Sequence, residues 1–361
     1  MLCNYPLLFE KNIHTLVWGT ESWEVSAVPS SPCIVANGPL KGRDIISVID
    51  EFGPEILGDT VYEEFDGKLP LLVKFIDAKK DLSIQVHPND ALAMERHQCF
   101  GKTEMWYIIA AEPGASILAG LKEELTPEDY KRRVADGTIV DALARHEVHP
   151  GDVFYIPAGR IHAICGGVYL AEVQQSSDIT YRLYDYNRPG LDGKPRQLHT
   201  ELAADAIDFR VEKDYRTYYG NTLGHAAKVI DTPFFDVRVM DLDKRSLANG
   251  QKITVSGKPR GFHRKLTKYH SFVISMCISG KCHITLRNNG QPVQVLGKDE
   301  AVPQSVTLSA GESCLIPASC ADYDIVPISL DTRILETHID RKKKGLLRRI
   351  LSKVEGQRSK V

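Results

Sequence analysis

Hydrophobic residues recur along this chain in short runs that are separated by Gly, Pro, Asn and Asp. Runs of this kind, apolar throughout or alternating with polar residues, are typical of β-strands. The runs that predict strands are 71–76, 82–87, 105–110, 153–156, 168–173, 235–242, 271–278 and 283–286. Many short strands between turn residues predict a β-sandwich or a β-barrel.

Helical patterns are few and lie between the predicted strands. They cover residues 44–52, 90–97, 126–144 and 200–207. The pattern at 126–144 is the clearest, because Thr126 suits an N-cap and Pro127 suits the first helical position. Two acidic residues follow in the first turn, where they face the positive end of the helix dipole. We therefore expect a β-scaffold decorated by a few helices.

An internal repeat indicates two copies of one structural unit. Residues 151–162 and 311–322 align without a gap, at a separation of 160 residues. Each copy has a turn glycine, a buried strand and a Pro-Ala turn, which we expect to direct the next side chains into the mouth of a barrel. The first copy offers His162 at that point, and the second offers Asp322.

The repeat predicts two β-domains and a tail. We expect an N-terminal domain at 1–215 with a helical insertion near 126–144, a C-terminal domain at 216–340, and a tail at 341–361. The tail holds nine Lys or Arg residues and one acid, Glu355. Such a tail is typical of a solvated appendage, although its interleaved leucines also suit a helix that binds a membrane surface or a partner.

Composition places the chain among globular proteins. Its 361 residues are 43% hydrophobic with a net charge of -2, so bulk charge does not indicate a nucleic-acid partner. The eight cysteines contain no C-x-x-C pair, which favours reduced thiols over a disulfide framework or a zinc knuckle. The N-terminus has no basic and then apolar leader, and no run of eighteen apolar residues occurs. We therefore expect a cytoplasmic protein without integral membrane contact.

Several polar residues are spaced so as to share one side of a strand. Alternation in the run 82–87 sends Leu82, Ile84 and Val86 to one face and Ser83, Gln85 and His87 to the other. Lys102 and Glu104 form a second pair on one face. Each pattern alone also fits a half-exposed strand or a surface ion pair. The string Gly-x5-Pro-x-Gly-x2-His, which ends at His162, is more specific for a metal-binding β-barrel.

Taken together, these motifs resemble type I mannose-6-phosphate isomerases, which belong to the cupin superfamily. The resemblance covers roughly residues 5 to 335 and rests on several short motifs. They are Trp18-Gly19-x2-Ser22-Trp23-Glu24, Ser83-Ile-Gln-Val-His87-Pro, Lys102-x-Glu104, Gly151 to His162, and Glu172-x3-Ser176-Ser177-Asp178-x3-Arg182. The chain departs from the second cupin motif at Gly166, where that motif has Asn. The resemblance implies two cupin-type, jelly-roll β-barrels.

The resemblance also implies one Zn²⁺ per chain. The positions that match the family's zinc ligands are Gln85, His87, Glu104 and His162. Two imidazoles, one carboxylate and one amide oxygen suit zinc and leave room for substrate or water. A generic cupin has His-x-His where this chain has Gln85-x-His87, which favours the isomerase branch over iron oxygenases. The second repeat lacks such a set, so we expect a metal-free C-terminal domain.

The family's reaction interconverts D-mannose 6-phosphate and D-fructose 6-phosphate through a cis-enediol. The resemblance makes Arg182 the catalytic arginine, and Ser83, Lys102 and Arg188 are candidates for binding the sugar phosphate, with Lys102 also a catalytic candidate. Arg188 equally suits a solvated arginine in a loop. Glu172 is a candidate acid/base, because burial can raise a carboxylate pKa, or a structural carboxylate that holds Arg182 or a ligand.

Two other classes of function share parts of this pattern. One is another cupin enzyme, such as an epimerase or an oxygenase; Gln85, Lys102 and Arg182 argue against it. The other is a sugar-binding or regulatory cupin module without catalysis. No helix-turn-helix pattern is present, so no nucleic-acid partner is expected. The sequence leaves the oligomeric state open.

Overall fold

The computed structural model describes most of the chain. The described residues are 4–243, 254–255, 258–259, 262–266, 269–287, 302–320 and 322–340. They are mainly β with a few helices, as the sequence predicts. The predicted basic tail, 341–361, lies outside them. Among the helices of this part of the chain, none is long and apolar enough to span a membrane.

The chain divides into two compact units that are discontinuous in sequence. Unit I comprises Ile13–Trp23 and Leu71–Tyr218, and unit II comprises residues 4–12, Glu24–Pro70 and the described residues from Tyr219 onward. Unit I therefore ends close to the predicted boundary at residue 215. The domain division predicted from the sequence differs from the structure for residues 24–70. The prediction assigns them to the N-terminal domain, whereas they belong to unit II.

Five α-helices lie within the described residues. They are α1 (Ile45–Leu57), α2 (Asp59–Glu64), α3 (Asp90–His97), α4 (Pro127–Ala135) and α5 (Thr200–Ala206). The segment 24–70 joins unit II because α1 packs there: the backbone N–H of Phe272 donates to the carbonyl of Leu57 at 3.3 Å. The helix predicted over 126–144 is shorter than expected, since it ends at Ala135 before Gly137, whose φ of 71° is left-handed.

Unit I is built on two sheets. The strands of this part of the chain are β1 (Ile13–Leu16), β2 (Gly19–Val25), β3 (Leu71–Ala78), β4 (Ile84–Val86), β5 (Glu104–Ala111), β6 (Ser116–Leu121), β7 (Leu143–Glu147), β8 (Val153–Ile156), β9 (His162–Ile164), β10 (Val168–Gln175) and β11 (Tyr181–Tyr184). The six-stranded sheet has the order β1-β2-β3-β10-β5-β8, and the five-stranded sheet has the order β11-β4-β9-β6-β7.

Each face of the five-stranded sheet packs on a different core. The core between the two sheets joins Trp106 of β5 to Ile117 of β6, both fully buried. On the outer face, Ile84 and Val86 of β4 pack with side chains of α4 and α5. The predicted alternation therefore holds within β4, but Leu82 precedes the strand and packs in the inner core, so its predicted place on the outer face is wrong.

Unit II repeats the two-sheet arrangement. Its strands are β12 (Ala226–Asp231), β13 (Asp236–Leu242), β14 (Thr254–Val255), β15 (Lys258–Pro259), β16 (Phe262–Lys265), β17 (Val273–Ser279), β18 (Lys281–Leu286), β19 (Ser305–Ser309), β20 (Glu312–Ile316), β21 (Asp322–Pro327) and β22 (Thr332–His338). A five-stranded sheet, β12-β13-β22-β17-β20, accompanies a four-stranded sheet, β16-β21-β18-β19, and β14 pairs with β15.

The second repeat does not direct Asp322 into the core. In β21 the buried positions are Tyr323, Ile325 and Pro327, so Asp322 lies on the opposite face, where His263 Nε2 is 3.0 Å from its carboxylate. A shift of one residue reverses every side chain of a strand, and this shift makes the expected equivalence with His162 wrong. The core of unit II instead contains a buried ion pair between Glu336 and Arg264, at 2.6 Å.

Candidate metal and substrate site

The two sheets of unit I bring three candidate metal ligands together. His87 Nε2 lies 3.1 Å from Glu104 Oε1, and His162 Nε2 lies 3.6 Å from Glu104 Oε2. The three side chains are at most 1% exposed, and their ligand atoms lie within 4.8 Å of one another. Glu104 comes from the six-stranded sheet, whereas the histidines come from the five-stranded sheet, so the group lies between the sheets.

Strand register places Gln85 and Arg182 beside this group. Gln85 of β4 is directly opposite His162 of β9, and Arg182 of β11 is directly opposite Gln85. Opposite residues of antiparallel strands point to the same face, so these three side chains form one row on the inner face. The Gln85 amide nitrogen is 3.3 Å from His162 Nε2. Rotation of the amide exchanges its nitrogen and oxygen, so the oxygen can reach the same point.

Both histidines present Nε2 to the carboxylate. Their Nδ1 atoms donate to backbone carbonyls, at 2.9 Å to Ile179 for His87 and at 2.8 Å to Arg160 for His162. Burial lowers the pKa of His162, and burial together with the charge of Lys102 lowers the pKa of His87 to about 3. The imidazoles are therefore neutral at neutral pH, with the Nε2 lone pair facing the group. This is the form in which histidine binds a metal.

Glu104 is held ionised in this buried position. Burial opposes ionisation, but the Lys102 ammonium, 3.1 Å from Oε1, holds the pKa of Glu104 well below its usual range. Lys102 is ion-paired with Glu104 Oε1, whereas Glu104 Oε2 and His87 Nε2 are buried without a hydrogen-bond partner among the described residues. Buried polar atoms normally have such partners. Two neutral imidazoles and an ionised carboxylate with an unpartnered oxygen fit a divalent metal such as zinc.

Glu172 belongs to a network next to the candidate ligands. Its carboxylate accepts a hydrogen bond from Trp106 Nε1 at 2.8 Å and lies 3.3 Å from Lys74 Nζ. Trp106 contacts His162 edge-on, with ring centroids 5.3 Å apart. Burial and the charge of Glu104 raise the pKa of Glu172. These contacts link Glu172 to a candidate ligand through Trp106, and the contacts described for Glu172 do not include Arg182.

Sequence reasoning missed Lys74. Its ammonium is buried between Glu172 and Glu21, and the Glu21 carboxylate lies 3.2 Å from Lys74 Nζ. Burial disfavours the charge, but the two carboxylates outweigh it and raise the pKa of Lys74. A signal was present, because Lys74 is the only charged residue in the apolar run 71–76. A lysine at a buried strand position requires anionic partners, which indicates a polar site.

Arg182 lies at the other end of the row, next to Ser83. Its Nε donates to Ser83 Oγ at 3.3 Å, and its Nη1 donates to the carbonyl of Gln197 at 2.9 Å. Burial, and then the charge of Arg196, lowers the pKa of Arg182. Arg188 is bound to Asp185 rather than being free in solvent, with Nε 2.9 Å from Oδ1. The candidate substrate residues Ser83 and Arg182 are thus brought together.

Comparisons with known proteins find similar sequences among mannose-6-phosphate isomerases. The family model described as "Phosphomannose isomerase type I, catalytic domain" matches residues 14–108. The chain is 34% identical over 250 residues to a mannose-6-phosphate isomerase of Streptococcus mutans, and the match covers 64% of this chain and 77% of that protein. It is 43% identical over 189 residues to a probable mannose-6-phosphate isomerase, GmuF, of Bacillus subtilis. That match covers 52% of this chain and 58% of its relative.

A solved structure extends the similarity across most of the chain. The mannose 6-phosphate isomerase of Bacillus subtilis superposes with a TM-score of 0.73 at 27% identity, and the match covers 93% of this chain and 100% of that one. A putative mannosephosphate isomerase of Archaeoglobus fulgidus superposes with a TM-score of 0.70 at 20% identity, over 94% of this chain and 99% of that one. The second similarity concerns the fold alone.

Proposed function

Because the chain belongs to the type I mannose-6-phosphate isomerase family, we propose that it interconverts D-mannose 6-phosphate and D-fructose 6-phosphate. One observation carries this proposal: a single row across three strands sets Arg182 beside Gln85, and Gln85 beside His162. An arginine next to a metal-binding group suits a reaction in which negative charge develops on sugar oxygens. The cytoplasmic location expected from the sequence stays a prediction.

We propose one zinc per chain, held by His87, Glu104, His162 and the amide oxygen of Gln85. The neutral imidazoles and the ionised carboxylate support this assignment, since histidine nitrogens and a carboxylate oxygen are typical zinc ligands. A bound zinc would supply Lewis-acid polarisation of substrate oxygens. Lys102 is ion-paired with Glu104, so it lies close enough to interact with a substrate bound there.

The proposed reaction removes a proton at C2 of the open-chain sugar and returns one at C1. The cis-enediol(ate) between these steps carries charge on its oxygens, and Arg182 is the group proposed to stabilise that charge. Lys102 and Glu172 are the candidate proton-transfer groups. The raised pKa of Glu172 suits an acid/base, whereas its hydrogen bond from Trp106 supports a positioning role.

A coupled assay tests the proposed function. The purified, zinc-loaded chain is incubated with mannose 6-phosphate, and fructose 6-phosphate is detected through a coupling enzyme. Running the reaction in D₂O while following the C1 and C2 protons by NMR tests the enediol, since a base that exchanges with solvent introduces deuterium at those carbons. Conversion with deuterium uptake is expected. Absence of any conversion by metal-loaded protein would contradict the proposed activity.

A further inference from the structure

A cluster of arginines lies next to the proposed active site, and most of it has no role in the proposed zinc site or in proton transfer. Arg188 and Arg196 bind the carboxylate of Asp185, and Arg182, three residues before it, interacts with these residues electrostatically; we call these four residues the arginine cluster. Sequence motifs single out Arg182, and Arg188 is a candidate for binding the sugar phosphate that equally suits a solvated arginine in a loop. Neither Arg196 nor Asp185 belongs to a recognised motif, although both lie within the same segment of unit I.

Asp185 ties two of these arginines together. It is 5% exposed, and its oxygens accept hydrogen bonds from Arg188 Nε at 2.9 Å and from Arg196 Nε and Nη2 at 2.6 Å. The side chains of Arg188 and Arg196 keep 17% and 21% of their surface exposed. A carboxylate bound by both guanidinium groups fixes their orientation, and the Nη1 atoms, for which no contact with Asp185 is described, are the donors that remain for an anion.

The backbone that brings these residues together is conformationally strained. Tyr186 and Asn187 have φ values of 57° and 51°, in the left-handed region, and the N–H of Arg188 donates to the carbonyl of Asp185 at 3.1 Å to close the turn. A tyrosine in this conformation is strained, and such strain concentrates at functional sites. The turn directs Arg188 back towards Asp185.

A hairpin over residues 189–195 positions Arg196 next to Asp185. Pro189 forms a bridge with Pro195, and the N–H of Gly190 donates to the carbonyl of Lys194 at 2.6 Å. Beyond this hairpin, the N–H of His199 donates to the carbonyl of Arg182 at 2.8 Å. The segment that carries Arg196 therefore lies against β11, which carries Arg182.

The charge of the cluster favours a dianion. Arg188, Arg196 and Asp185 together carry a charge of +1, Arg182 adds a further positive charge nearby, and the charge of Arg196 contributes to the lowered pKa of Arg182. Like charges at close range repel unless an anion neutralises them. A phosphate monoester carries a charge of about -2 near neutral pH and accepts paired hydrogen bonds from guanidinium groups.

We propose that Arg196 binds the phosphate of the substrate together with Arg188, and that Asp185 is a positioning residue that orients both. The identity of the phosphate as that of a hexose 6-phosphate rests on the proposed function. Asp185 follows Arg182 by three residues, or roughly 10 Å along an extended chain. That separation is comparable to an extended six-carbon sugar whose C1 and C2 lie near Arg182 and whose phosphate lies at the far end.

Binding of inorganic phosphate tests the cluster without requiring turnover. The variant Arg196→Gln is compared with the full-length protein and with Arg133→Gln, a control in the same unit whose arginine is ion-paired with Glu123 at 2.8 Å. Calorimetry with inorganic phosphate should give a dissociation constant about tenfold or more higher for R196Q, as expected for a lost charge-assisted hydrogen bond, and no change for R133Q. KM for mannose 6-phosphate should rise by a similar factor.

Asp185→Asn tests the positioning role. We expect KM to rise while kcat stays within about threefold, because the cluster grips a part of the substrate that does not react. A purely structural role for Asp185 would instead lower the unfolding temperature and the amount of active enzyme without changing KM. Since Arg196 is partly exposed, R196Q decides the proposal even if D185N fails to fold.

The outcomes separate this inference from the proposed function. Phosphate binding that is lost in R196Q, in a protein that does not isomerise mannose 6-phosphate, would support the cluster and contradict the isomerase activity. An active isomerase whose R196Q variant keeps the wild-type phosphate affinity and KM would overturn the cluster and leave the activity intact. Absence of phosphate binding by the wild-type protein would also overturn it.

Discussion

At the scale of single residues, the candidate metal-binding group depends on the charge of one carboxylate. Glu104 is the acidic member of a buried set whose other members are neutral imidazoles. Its ionised state is maintained by Lys102, whose ammonium contacts Oε1. Lys102 and a bound metal would therefore both interact with the Glu104 carboxylate. The net charge of the site, rather than its shape alone, should therefore determine metal affinity.

Glu104→Gln tests this dependence, because glutamine keeps the shape and removes the charge. We expect bound zinc to fall from about one per chain to well below half, since an amide is a weaker ligand than a carboxylate. Elemental analysis after equilibration with zinc and gel filtration measures it. Glu212→Gln is the control, because Glu212 is ion-paired with Arg160 on the surface of the same unit. Equal zinc content in E104Q and wild type would contradict the assignment.

Arg182→Lys tests the proposed catalytic charge. Lysine keeps the positive charge but loses the planar fork, so we expect kcat to fall by about 10²-fold with a much smaller change in KM. Metal content should stay unchanged, because Arg182 is not among the proposed ligands. If KM rises while kcat is nearly unaffected, Arg182 binds the ground state only and its catalytic role is wrong.

At the scale of elements, a tight turn supports both β4 and β9. Gly159 precedes β9 with φ of 91°, and its N–H donates to the carbonyl of His87 at 2.9 Å. A Cβ at this position would lie 2.9 Å from the carbonyl oxygen of Ala206. The turn therefore requires glycine for two reasons, its left-handed conformation and the close approach of another backbone segment.

We expect Gly159→Ala to destabilise unit I by more than Gly114→Ala. Gly114 is also left-handed, with φ of 77°, but a Cβ there would have no neighbouring atom within 4 Å, so the control isolates the cost of conformation. The close contact should add about 1–3 kcal/mol to the loss in unfolding free energy. Urea unfolding of the two variants measures the difference. Equal losses would show that the contact with Ala206 is relieved without cost.

Element-level patterns explain how far the sequence could predict the site. Gln85, His87 and His162 follow from strand alternation and from short motifs, because both report local geometry. Asp322 was misplaced because an alignment of two repeats does not detect a one-residue shift in strand orientation. Arg196 could not be predicted, because it reaches Asp185 only once its loop has paired with β11 in the folded chain.

At the scale of the whole molecule, the two units repeat one arrangement of sheets but differ inside. Unit I has the candidate ligands between its sheets, whereas unit II has the ion pair of Glu336 and Arg264. The segment 24–70 belongs to unit II although it precedes most of unit I in sequence. Sequence patterns could not reveal this assignment, because they describe neighbours along the chain and not the surface on which a helix packs.

We predict that zinc binds only in unit I, since the group of close carboxylates in unit II, Asp231, Asp236 and Asp340, contains no imidazole. Asp322→Ala should leave the stoichiometry at about one zinc per chain, since Asp322 lies on the outer face of its strand and pairs with His263. Elemental analysis of the variant beside wild type checks this. Two zinc ions per wild-type chain, with one lost in D322A, would contradict the assignment to unit I.

Reconstitution of the metal-stripped enzyme tests zinc dependence and isomerase activity together. Protein treated with a chelator and then freed of it is titrated with zinc, while conversion of mannose 6-phosphate to fructose 6-phosphate is followed at each step. We expect no activity in stripped protein and a linear rise to a plateau at about one zinc per chain. Full activity in stripped protein, or a zinc-loaded protein that leaves mannose 6-phosphate unconverted, would contradict the proposed zinc-dependent isomerisation.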